Sequence, residues 1–342
     1  MKWHDNVVRL QAPVCITWQI TNKCNLRCIH CLANSSKRKP DELTMEEIKA
    51  FLDDLAAMHV FYINVGGGEP LLHPNFFEIA DYAEEKGVYI QFSTNGTLIN
   101  RDIAKMIAER NLRVQVSLDG WKQEINDHIR GAGTFDKAIN AVQLLIERKV
   151  VVSVNCVVTK SNIKDLDNIY QLVISLGAKL RLSRLRPSGR AMESTERWRE
   201  LSPDSQQYVY LYHWLKEHPD VNTGDSFFFL SALGEPLPGL SYCGAWDLTC
   251  SVDPQGNIYP CPFTVTSNLL VGNIRNKPLS KWWQELPVIT QISGEESPVC
   301  TACANYPKCH GGCRGASYLV YGDWNKPDPD CLKRVSLDQQ GS

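Results

Sequence analysis

The chain lacks long apolar runs and has almost no net charge. Its 342 residues carry 36 basic and 38 acidic side chains, a formal charge of −2, so no overall field directs it to nucleic acid or an anionic membrane. Nowhere do about eighteen apolar residues follow one another as a spanning helix requires, and the start, MKWHDNVVRLQAP, lacks the apolar core of a signal peptide. We therefore expect a cytoplasmic protein that binds neither nucleic acid nor membrane.

Thirteen cysteines stand out in this ordinary composition, and their odd number and clustered spacing favour metal ligation over disulfides. Three of them, Cys24, Cys28 and Cys31, lie within TNKCNLRCIHCLANS. On a helix this spacing would make a buried stripe. A second alternative is a zinc site, which a histidine such as His30 or His59 would complete. In a loop, three thiolates hold three irons of a 4Fe-4S cube and leave the fourth iron open, as a catalytic site needs.

Apolar, β-branched runs alternate with amphipathic stretches between residues 14 and 186. The runs predict six strands: VCITWQIT, FYINV, VYIQF, LRVQVSL, VVSVNCVV and AKLRLSRL. Helical spacing lies between them at 44–58, where Thr44 and Glu47 form a capping box, and at 75–86, 102–110, 136–148 and 163–176. Strands joined by helices predict a parallel sheet that right-handed crossovers curl into a full or partial α/β barrel.

The unusual motifs follow the predicted strands. The cysteine triplet comes after the first strand, GGGEP after the second, STNG after the third and SLDG at the fourth. A glycine turn alone is most often punctuation, but α/β barrels place their chemistry at this end of the strands. The shared position therefore predicts one functional site.

The C-terminal third differs in character. Residues 191–240 are interpreted as a bridging segment, and residues 336–342 as a flexible tail. Residues 241–335 are rich in Gly, Pro and Cys with little periodicity, which is typical of a segment that folds around metal. Pairs of the type C-x2-C also bind zinc, so a zinc ribbon is the alternative. The cysteines of this segment are Cys243, Cys250, Cys261, Cys300, Cys303, Cys309, Cys313 and Cys331.

The triplet, followed by Gly67-Gly68-Glu69-Pro70, resembles the radical S-adenosylmethionine (SAM) enzymes. The spacings C-x12-G-x4-C and C-x2-C-x5-C-x3-C, with a distant Cys331, resemble the SPASM extension of that family. The resemblance implies a partial (β/α)6 TIM-like barrel in residues 1–190, whose first residues form an N-terminal extension. It also implies an irregular SPASM iron-sulfur domain in residues 241–335.

The same resemblance implies three 4Fe-4S clusters. Cys24, Cys28 and Cys31 would hold the catalytic cluster, whose open iron chelates the amino and carboxylate groups of SAM. Two auxiliary clusters would take the later thiols: Cys243, Cys250, Cys261 and Cys313 for the first, and Cys300, Cys303, Cys309 and Cys331 for the second. Cys15 and Cys156 remain, and both are predicted to be small buried apolar residues.

Family positions near SAM are also present. The resemblance implies cofactor contacts from Gly67, Gly68, Glu69, Asn95, Ser117, Arg130 and Leu185. The glycines would let the backbone approach the ligand, Glu69 would accept from its ammonium group, Arg130 would suit its carboxylate and Leu185 would pack against adenine. Alternatively, Asn95 is a turn residue and Asp119 a helix cap. His30 stands where relatives often carry an aromatic ring.

A basic run lies near the end of the sixth strand. Such a run is usually a solvated face, but its position above the barrel mouth leaves open a role in holding a peptide carboxylate. Its members are Arg181, Arg184, Arg186, Arg190, Arg197 and Arg199.

Longer runs resemble the mycofactocin radical SAM maturases: RLQAPVCITWQIT, INVGGGEP, IRGAGTF, RLRPSGR, TGDSFFFLSALG and DPQGNIYPCPF. The resemblance implies a precursor peptide ending in Val-Tyr, whose tyrosine is oxidatively decarboxylated and then joined to the valine by a carbon-carbon bond. It implies a small RiPP-recognition chaperone and an external electron donor as partners.

Other functions stay open. A sulfatase maturase that forms formylglycine is one, although Pro262 stands where those relatives carry aspartate. A thioether-forming or quinone-cofactor peptide maturase is another. A non-catalytic metal-binding scaffold is the alternative from a different class.

Overall fold

A computed structural model describes residues 10–223, 227–235, 237, 243–265, 267–285 and 297–332. The predicted tail at 336–342 lies outside these residues. The described chain forms one sheet of nine strands in the order β6-β5-β4-β3-β2-β1-β7-β8-β9. The strands are β1 Cys15–Thr21, β2 Tyr62–Gly67, β3 Tyr89–Thr94, β4 Arg113–Ser117, β5 Val152–Val158, β6 Lys179–Arg184, β7 Thr249–Val252, β8 Asn257–Tyr259 and β9 Gly272–Asn273.

The first six strands are parallel to their neighbours, as predicted. Helices form the connections between successive strands, which confirms the α/β class. Because β6 lies at one edge of the sheet and β9 at the other, the barrel is partial. Within the described residues, no helix has the length and apolarity needed to cross a membrane.

The sequence pattern predicts five helices to within a few residues, whereas the described residues form twelve helices. They are α1 Met45–Ala57, α2 Phe76–Glu85, α3 Arg101–Glu109, α4 Gln123–Arg130, α5 Thr134–Glu147, α6 Leu166–Ser175, α7 Thr195–Leu201, α8 Ser205–Glu217, α9 Leu279–Gln284, α10 Pro298–Thr301, α11 Tyr306–Cys309 and α12 Arg314–Tyr321. The capping box of Thr44 and Glu47 is confirmed at the start of α1. Helix α6 begins later than predicted because Ile163–Asp165 forms a 3-10 turn.

One face of the sheet packs against the helices. Ile16, Trp18 and Ile20 of β1 are at most 2% exposed, and Trp18 meets the ring of Phe51 edge-on with centroids 5.6 Å apart. Burying each such side chain contributes about 1.5–3 kcal/mol. Side chains alternate along a strand, so the residues between these belong to the inner face of the partial barrel.

The C-terminal segment continues the same sheet. Strand β7 is parallel to β1, with Ile16 opposite Cys250, and β8 and β9 add antiparallel pairs. The composition change near residue 241 therefore does not coincide with a break in the sheet.

Candidate functional site

The cysteine triplet lies in an irregular loop directly after β1, not in a helix. The helical-stripe interpretation is therefore wrong. Burial raises the pKa of the Cys24 thiol to about 11, and the charges of Glu69, Cys28 and Cys31 add to this rise. The N–H of Leu26 donates to Cys24 Sγ at 3.4 Å. The three thiols are thus close enough for their charges to interact.

The segment after β6 holds this loop in place. Arg190, 5% exposed, donates from Nε to the carbonyl of Cys28 at 2.8 Å, and from Nη1 to Asn34 Oδ1 and the Ser35 carbonyl, each at 2.9 Å. A Cβ atom on Gly189 would lie 2.2 Å from the carbonyl oxygen of Cys31. The backbones of the two segments therefore touch.

The glycines after β2 have a packing role that the sequence does not reveal. A Cβ on Gly67 would lie 2.5 Å from the Thr21 carbonyl oxygen, and one on Gly68 only 2.0 Å from the Lys23 carbonyl oxygen. The N–H groups of Gly68 and Glu69 donate to these same two carbonyls at 2.7 and 2.8 Å. The absent side chains let this turn support the start of the cysteine loop.

Glu69 is fully buried within the protein. Its carboxylate accepts from the hydroxyl of Thr94 and the N–H of Asn95, each at 2.8 Å, and from the N–H of Leu71 at 3.3 Å. Burial raises its pKa to about 7. The side chain joins the loops after β2 and β3, and its contact with SAM remains a prediction.

Asn95 serves as a turn residue and as a link. Its Oδ1 accepts from the N–H and hydroxyl of Thr97 at 2.9 and 2.6 Å, while its Nδ2 donates to Oδ1 of Asn25 at 2.9 Å. The loop after β3 is thereby tied to the cysteine loop.

Asp119 is the centre of a buried charge cluster rather than a helix cap. Its Oδ2 lies 2.6 Å from Arg130 Nε and 2.7 Å from His30 Nε2, and its Oδ1 accepts from the N–H of Val157 at 2.8 Å. Although burial alone would raise it, the charges of Arg130 and His30 hold the pKa of Asp119 below its usual range. Sequence reasoning considered each of these residues separately and missed the cluster.

This cluster touches the cysteine loop. Cys28 Sγ lies 3.8 Å from the carbonyl oxygen of Arg130. Nδ1 of His30 is buried and has no hydrogen-bond partner among the described residues. A buried polar atom of this kind, next to the triplet, suits a bound polar ligand.

Ser117 and Leu185, two further residues predicted to contact SAM, differ in their exposure. Ser117 is half-buried at the end of β4 and lies in register with Asn155 of β5. Leu185 is fully buried and packs with Ala191 and Trp198, so it presents no surface to a ligand in this structure.

Cys15 and Cys156, the two cysteines outside the predicted clusters, differ in burial. Cys156 is buried in the core as expected. Cys15 is half-exposed instead, because it lies on the inner face of β1, where Sγ contacts Thr249 Oγ1 at 3.5 Å.

The inner face of the sheet is polar, a feature that sequence reasoning missed although the alternation within the strands displays it. Barrels of this type usually fill the interior with branched apolar side chains. Gln115 Nε2 donates to Ser93 Oγ at 3.0 Å, and Ser183 Oγ donates to Asn155 Oδ1 at 2.6 Å. Other inner positions are Thr17, Gln19, Tyr62, Asn64, Gln91, Ser117, Ser153, Arg181 and Ser251.

Three of the predicted ligands of the first auxiliary cluster lie together. We name Cys243, Cys261 and Cys313 the first auxiliary group. Burial raises the pKa of Cys261, and the charge of Cys313 adds to the rise. Although Cys243 as a residue is exposed, desolvation of its thiol raises the pKa to about 12, and the charges of Cys313 and Cys261 contribute.

Cys250 differs from these three. It lies within β7, fully buried in the hydrophobic core and in register with Ile16. Burial raises its pKa, and the thiol whose charge adds to that rise is Cys15. The structure therefore does not bring Cys250 into the first auxiliary group.

The other four cysteines line one cavity. We name Cys300, Cys303, Cys309 and Cys331 the second auxiliary group. The rest of the lining is largely apolar or glycine: Phe229, Ala232, Val299, Asn305, Tyr306, Gly311, Gly312, Pro327 and Asp328. Burial raises the pKa of Cys309 to about 11, and the charges of the other three thiols add to the rise. Four thiols that line one cavity fit a 4Fe-4S cube.

A single-ion site is not part of this arrangement. In the described ranges, no three His, Cys, Asp or Glu side chains are grouped to hold one metal ion. In a cube each thiolate binds a different iron. The zinc interpretation of either cysteine set therefore gains no support from the geometry.

The basic run is mostly not a solvated face. Arg184, Arg186 and Arg190 are at most 5% exposed, and only the later Arg199 is exposed as expected for a solvated face. Arg184 Nη1 donates to Asp328 Oδ2 at 2.9 Å, which buries both charges as a pair. Asp328 lies in the distant C-terminal segment, and the sequence does not reveal this pairing.

Comparison with known proteins agrees with this geometry. Residues 18–173 match the radical SAM superfamily, and residues 243–310 match the SPASM iron-sulfur cluster-binding domain. The structure of anSMEcpe with bound AdoMet, which is SAM, and Kp18Cys peptide is similar, with TM-score 0.75 and 22% identity over 95% of this chain and 96% of that chain. Streptococcus suis SuiB bound to precursor peptide SuiA has TM-score 0.75 and 18% identity, over 94% of this chain and 76% of that chain.

The fold and the two matching regions define a radical SAM enzyme with a SPASM iron-sulfur extension. Among relatives, mycofactocin maturase MftC of Mycobacterium tuberculosis is 41% identical over 331 residues, 95% of this chain and 84% of that protein. Fe-coproporphyrin III synthase of Methanosarcina barkeri is 31% identical, over 94% of this chain and 88% of that protein. The chain belongs to the mycofactocin radical SAM maturases.

Proposed function

We propose that this chain matures a ribosomal precursor peptide in mycofactocin biosynthesis, and that the peptide ends in Val-Tyr. The observation that carries the proposal is the 41% identity with the mycobacterial maturase across 95% of the chain. The lower identity with the M. barkeri synthase, 31%, favours a peptide over a porphyrin as substrate. The similarity in fold to SuiB, which binds a precursor peptide, agrees with this choice.

In the proposed reaction the C-terminal tyrosine first loses a hydrogen atom from Cβ. Loss of one electron and carbon dioxide then leaves an enamide. In the second step a further 5′-deoxyadenosyl radical removes a valine hydrogen atom, the valine carbon adds to the enamide double bond, and one electron from the donor with one proton completes the product. When bound, the reduced catalytic cluster supplies the electron that cleaves SAM to methionine and the 5′-deoxyadenosyl radical, which takes the hydrogen. The role of Cys24, Cys28 and Cys31 is to hold that cluster with one iron open to SAM.

We propose three 4Fe-4S clusters, one at the triplet and one at each auxiliary group. The interacting charges of the thiols and the cavity of the second auxiliary group support this number. SAM would lie between the triplet and the loops of Gly67, Gly68, Asn95 and Ser117. The unsatisfied Nδ1 of His30 supports a ligand at this place.

The polar inner face supports a peptide substrate. Arg181 is half-buried there, in register with Asn155, and forms no ion pair with a described residue. Burial raises the pKa of Tyr62 to about 12, and the nearby charge of Arg181 opposes the rise. A guanidinium among neutral polar side chains suits the terminal carboxylate of a peptide.

Two partners and a compartment complete the proposal. A small RiPP-recognition chaperone delivers the precursor by adding it as a strand to its own sheet. A one-electron donor reduces the catalytic cluster. The cytoplasm suits these steps because it keeps thiols reduced.

The test is an anaerobic assay with reconstituted enzyme, SAM, a reductant, the chaperone and a precursor ending in Val-Tyr. We expect 5′-deoxyadenosine and a peptide that has lost carbon dioxide and two hydrogen atoms, both measured by mass spectrometry. The triple variant C24A/C28A/C31A should form neither product while it retains auxiliary iron.

Each alternative predicts a different result. Turnover of the peptide without loss of its carboxyl carbon would exclude the proposed decarboxylation and favour another peptide maturase. A scaffold without catalytic function predicts no cleavage of SAM. Since three cubes hold about twelve irons per chain, an iron count on the same sample checks the cluster number.

A further inference from the structure

A cation from the barrel lies against the first auxiliary group. Arg186 follows β6 by two residues and is 3% exposed. Its Nη1 donates to Cys313 Sγ at 3.8 Å. Burial and the charge of Cys313 raise the pKa of Cys261, whereas the charge of Arg186 lowers it. One guanidinium therefore acts on two of the three thiols.

The position of this guanidinium is well defined. Its carbon lies 3.2 Å from the centroid of the Phe263 ring, and Phe263 is two residues beyond Cys261. A planar guanidinium stacks on an aromatic ring in a way that a lysine ammonium does not. The ring and the thiol of Cys313 together orient the charge towards the first auxiliary group.

We propose that Arg186 sets the reduction potential of the cluster held by the first auxiliary group. The inference rests on the three clusters of the proposed function. Reduction makes a cluster more negative, so a positive charge and an N–H···S hydrogen bond stabilise the reduced state and raise the potential. The effect is strong because the surroundings are buried and of low dielectric.

A raised potential suits the proposed reaction. The peptide gives up one electron when it loses carbon dioxide, and that electron reduces one cluster by one unit. A one-electron carrier protein then takes the electron and restores the oxidised cluster. Arg186 would make the cluster of the first auxiliary group a better acceptor without touching the substrate.

The experiment compares midpoint potentials in the reconstituted full chain. Each variant is made in the C24A/C28A/C31A background, so that only auxiliary clusters contribute, and potentials are read by EPR during a redox titration. In R186M we expect one potential to fall, with an equilibrium constant for reduction about tenfold lower, which is about 59 mV for one electron. The second auxiliary potential should not change.

Two variants serve as controls. R186K keeps the charge but loses the stacked fork, so its potential should lie between those of the unchanged chain and R186M. R199M removes the same charge from an exposed position on α7 and should leave both potentials unchanged.

Unchanged potentials in R186M with full auxiliary iron would overturn the proposal. If R186M binds less iron, R186Q is measured instead and should shift in the same direction. Loss of iron in both variants would assign Arg186 a structural role and would also overturn the proposal. Because the redox titration uses no peptide, failure of the Val-Tyr assignment does not affect this test. If the chain that keeps Arg186 binds no auxiliary iron, both proposals are overturned.

Discussion

Arg184 and Asp328 form a buried bidentate ion pair that joins the partial barrel to the C-terminal cysteine segment. Nη1 of Arg184 lies 2.9 Å from Oδ2 of Asp328, and Nη2 lies 2.5 Å from Oδ1. Neither side chain is exposed, and Asp330 Oδ2 accepts from Arg184 Nε at 3.0 Å. The same Asp328 Oδ2 accepts from the N–H of Cys313 at 2.7 Å. One charge pair thus connects strand β6 to a proposed cluster ligand.

The variant D328A should therefore be strongly destabilised, because it leaves part of the buried charge of Arg184 uncompensated. Removing one partner of a buried pair costs about 3–5 kcal/mol, and Asp330 should hold the loss near the lower end. Urea unfolding followed by tryptophan fluorescence measures it. The matched control is E193Q, which removes the surface partner of Arg197 and should change stability little. Equal unfolding midpoints in both variants would contradict this role.

Gly68 and Gly66 allow a sharp comparison. A Cβ at Gly68 would lie 2.0 Å from the Lys23 carbonyl oxygen, whereas at Gly66 nothing lies within 4 Å. G68A should lower stability by about 1–3 kcal/mol or more and reduce the iron of the catalytic cluster, because the cysteine loop must shift. G66A should keep both. Thermal unfolding and iron content report the difference, and the same iron loss in G66A would show that packing is not the cause.

Cys250 and Cys243 should differ in their effect on iron. C243A is expected to lose the iron of one cluster, about four per chain. C250A should keep its iron, because the side chain lies in the hydrophobic core rather than beside the other thiols. It should lose only the small packing energy of one sulfur atom. Iron and sulfide analysis of reconstituted protein decides between them. An equal loss of iron in C250A would restore Cys250 as a ligand.

Glu69 predicts a pH dependence of stability. Its pKa in the folded chain is raised to about 7 from an ordinary value of 4.5, so the folded state binds the proton more tightly. Its stabilising contribution is complete below about pH 4.5 and is lost as pH rises to about 7, by roughly 3 kcal/mol. In E69Q this loss should disappear. Urea unfolding of both chains at pH 5.5 and 8 measures the difference between them, and parallel pH profiles would contradict the prediction.

Arg181 should determine how tightly the peptide binds. A charged hydrogen bond is worth about 1.5–3 kcal/mol, so R181M should raise the KM for the peptide roughly tenfold to a hundredfold with less effect on kcat. The KM for SAM should stay constant. K179M, at the exposed start of the same strand, is the matched control. A precursor with an amidated C-terminus should bind the unchanged chain and R181M equally weakly. An increase confined to the KM for SAM would assign the guanidinium to the cofactor instead.

Local patterns were enough to predict the six strands β1 to β6, the five helices α1, α2, α3, α5 and α6, and the loop position of the triplet. Period-two apolar runs specify strands because alternate side chains must reach one buried face. The capping box at Thr44 is likewise a local device, since its hydrogen bonds join residues three apart. Helix α4 is absent from the predicted helices because it has only eight residues, of which three are buried, so its apolar pattern is short.

Contacts between distant segments were beyond that reasoning. The clashes that Gly68 avoids arise from Lys23, the partners of Asp119 are His30 and Arg130, and Arg184 meets carboxylates about 144 residues later. No local signal marks a buried arginine, since burial and pairing are properties of the assembled fold. For that reason the local pattern favours a solvated face for the basic run and leaves a role in holding a carboxylate open. The family resemblance, in turn, groups Cys250 with thiols from which its strand separates it.

The sequence by itself determined the class of this protein, because the spacing of its thiols and the period of its strands are written into neighbouring residues. Only the tertiary structure decided that Cys250 lies apart from the other thiols, which arginines are buried and which carboxylates pair with them. The physical reason is that charge pairing and desolvation act through space, between groups that the chain order keeps far apart.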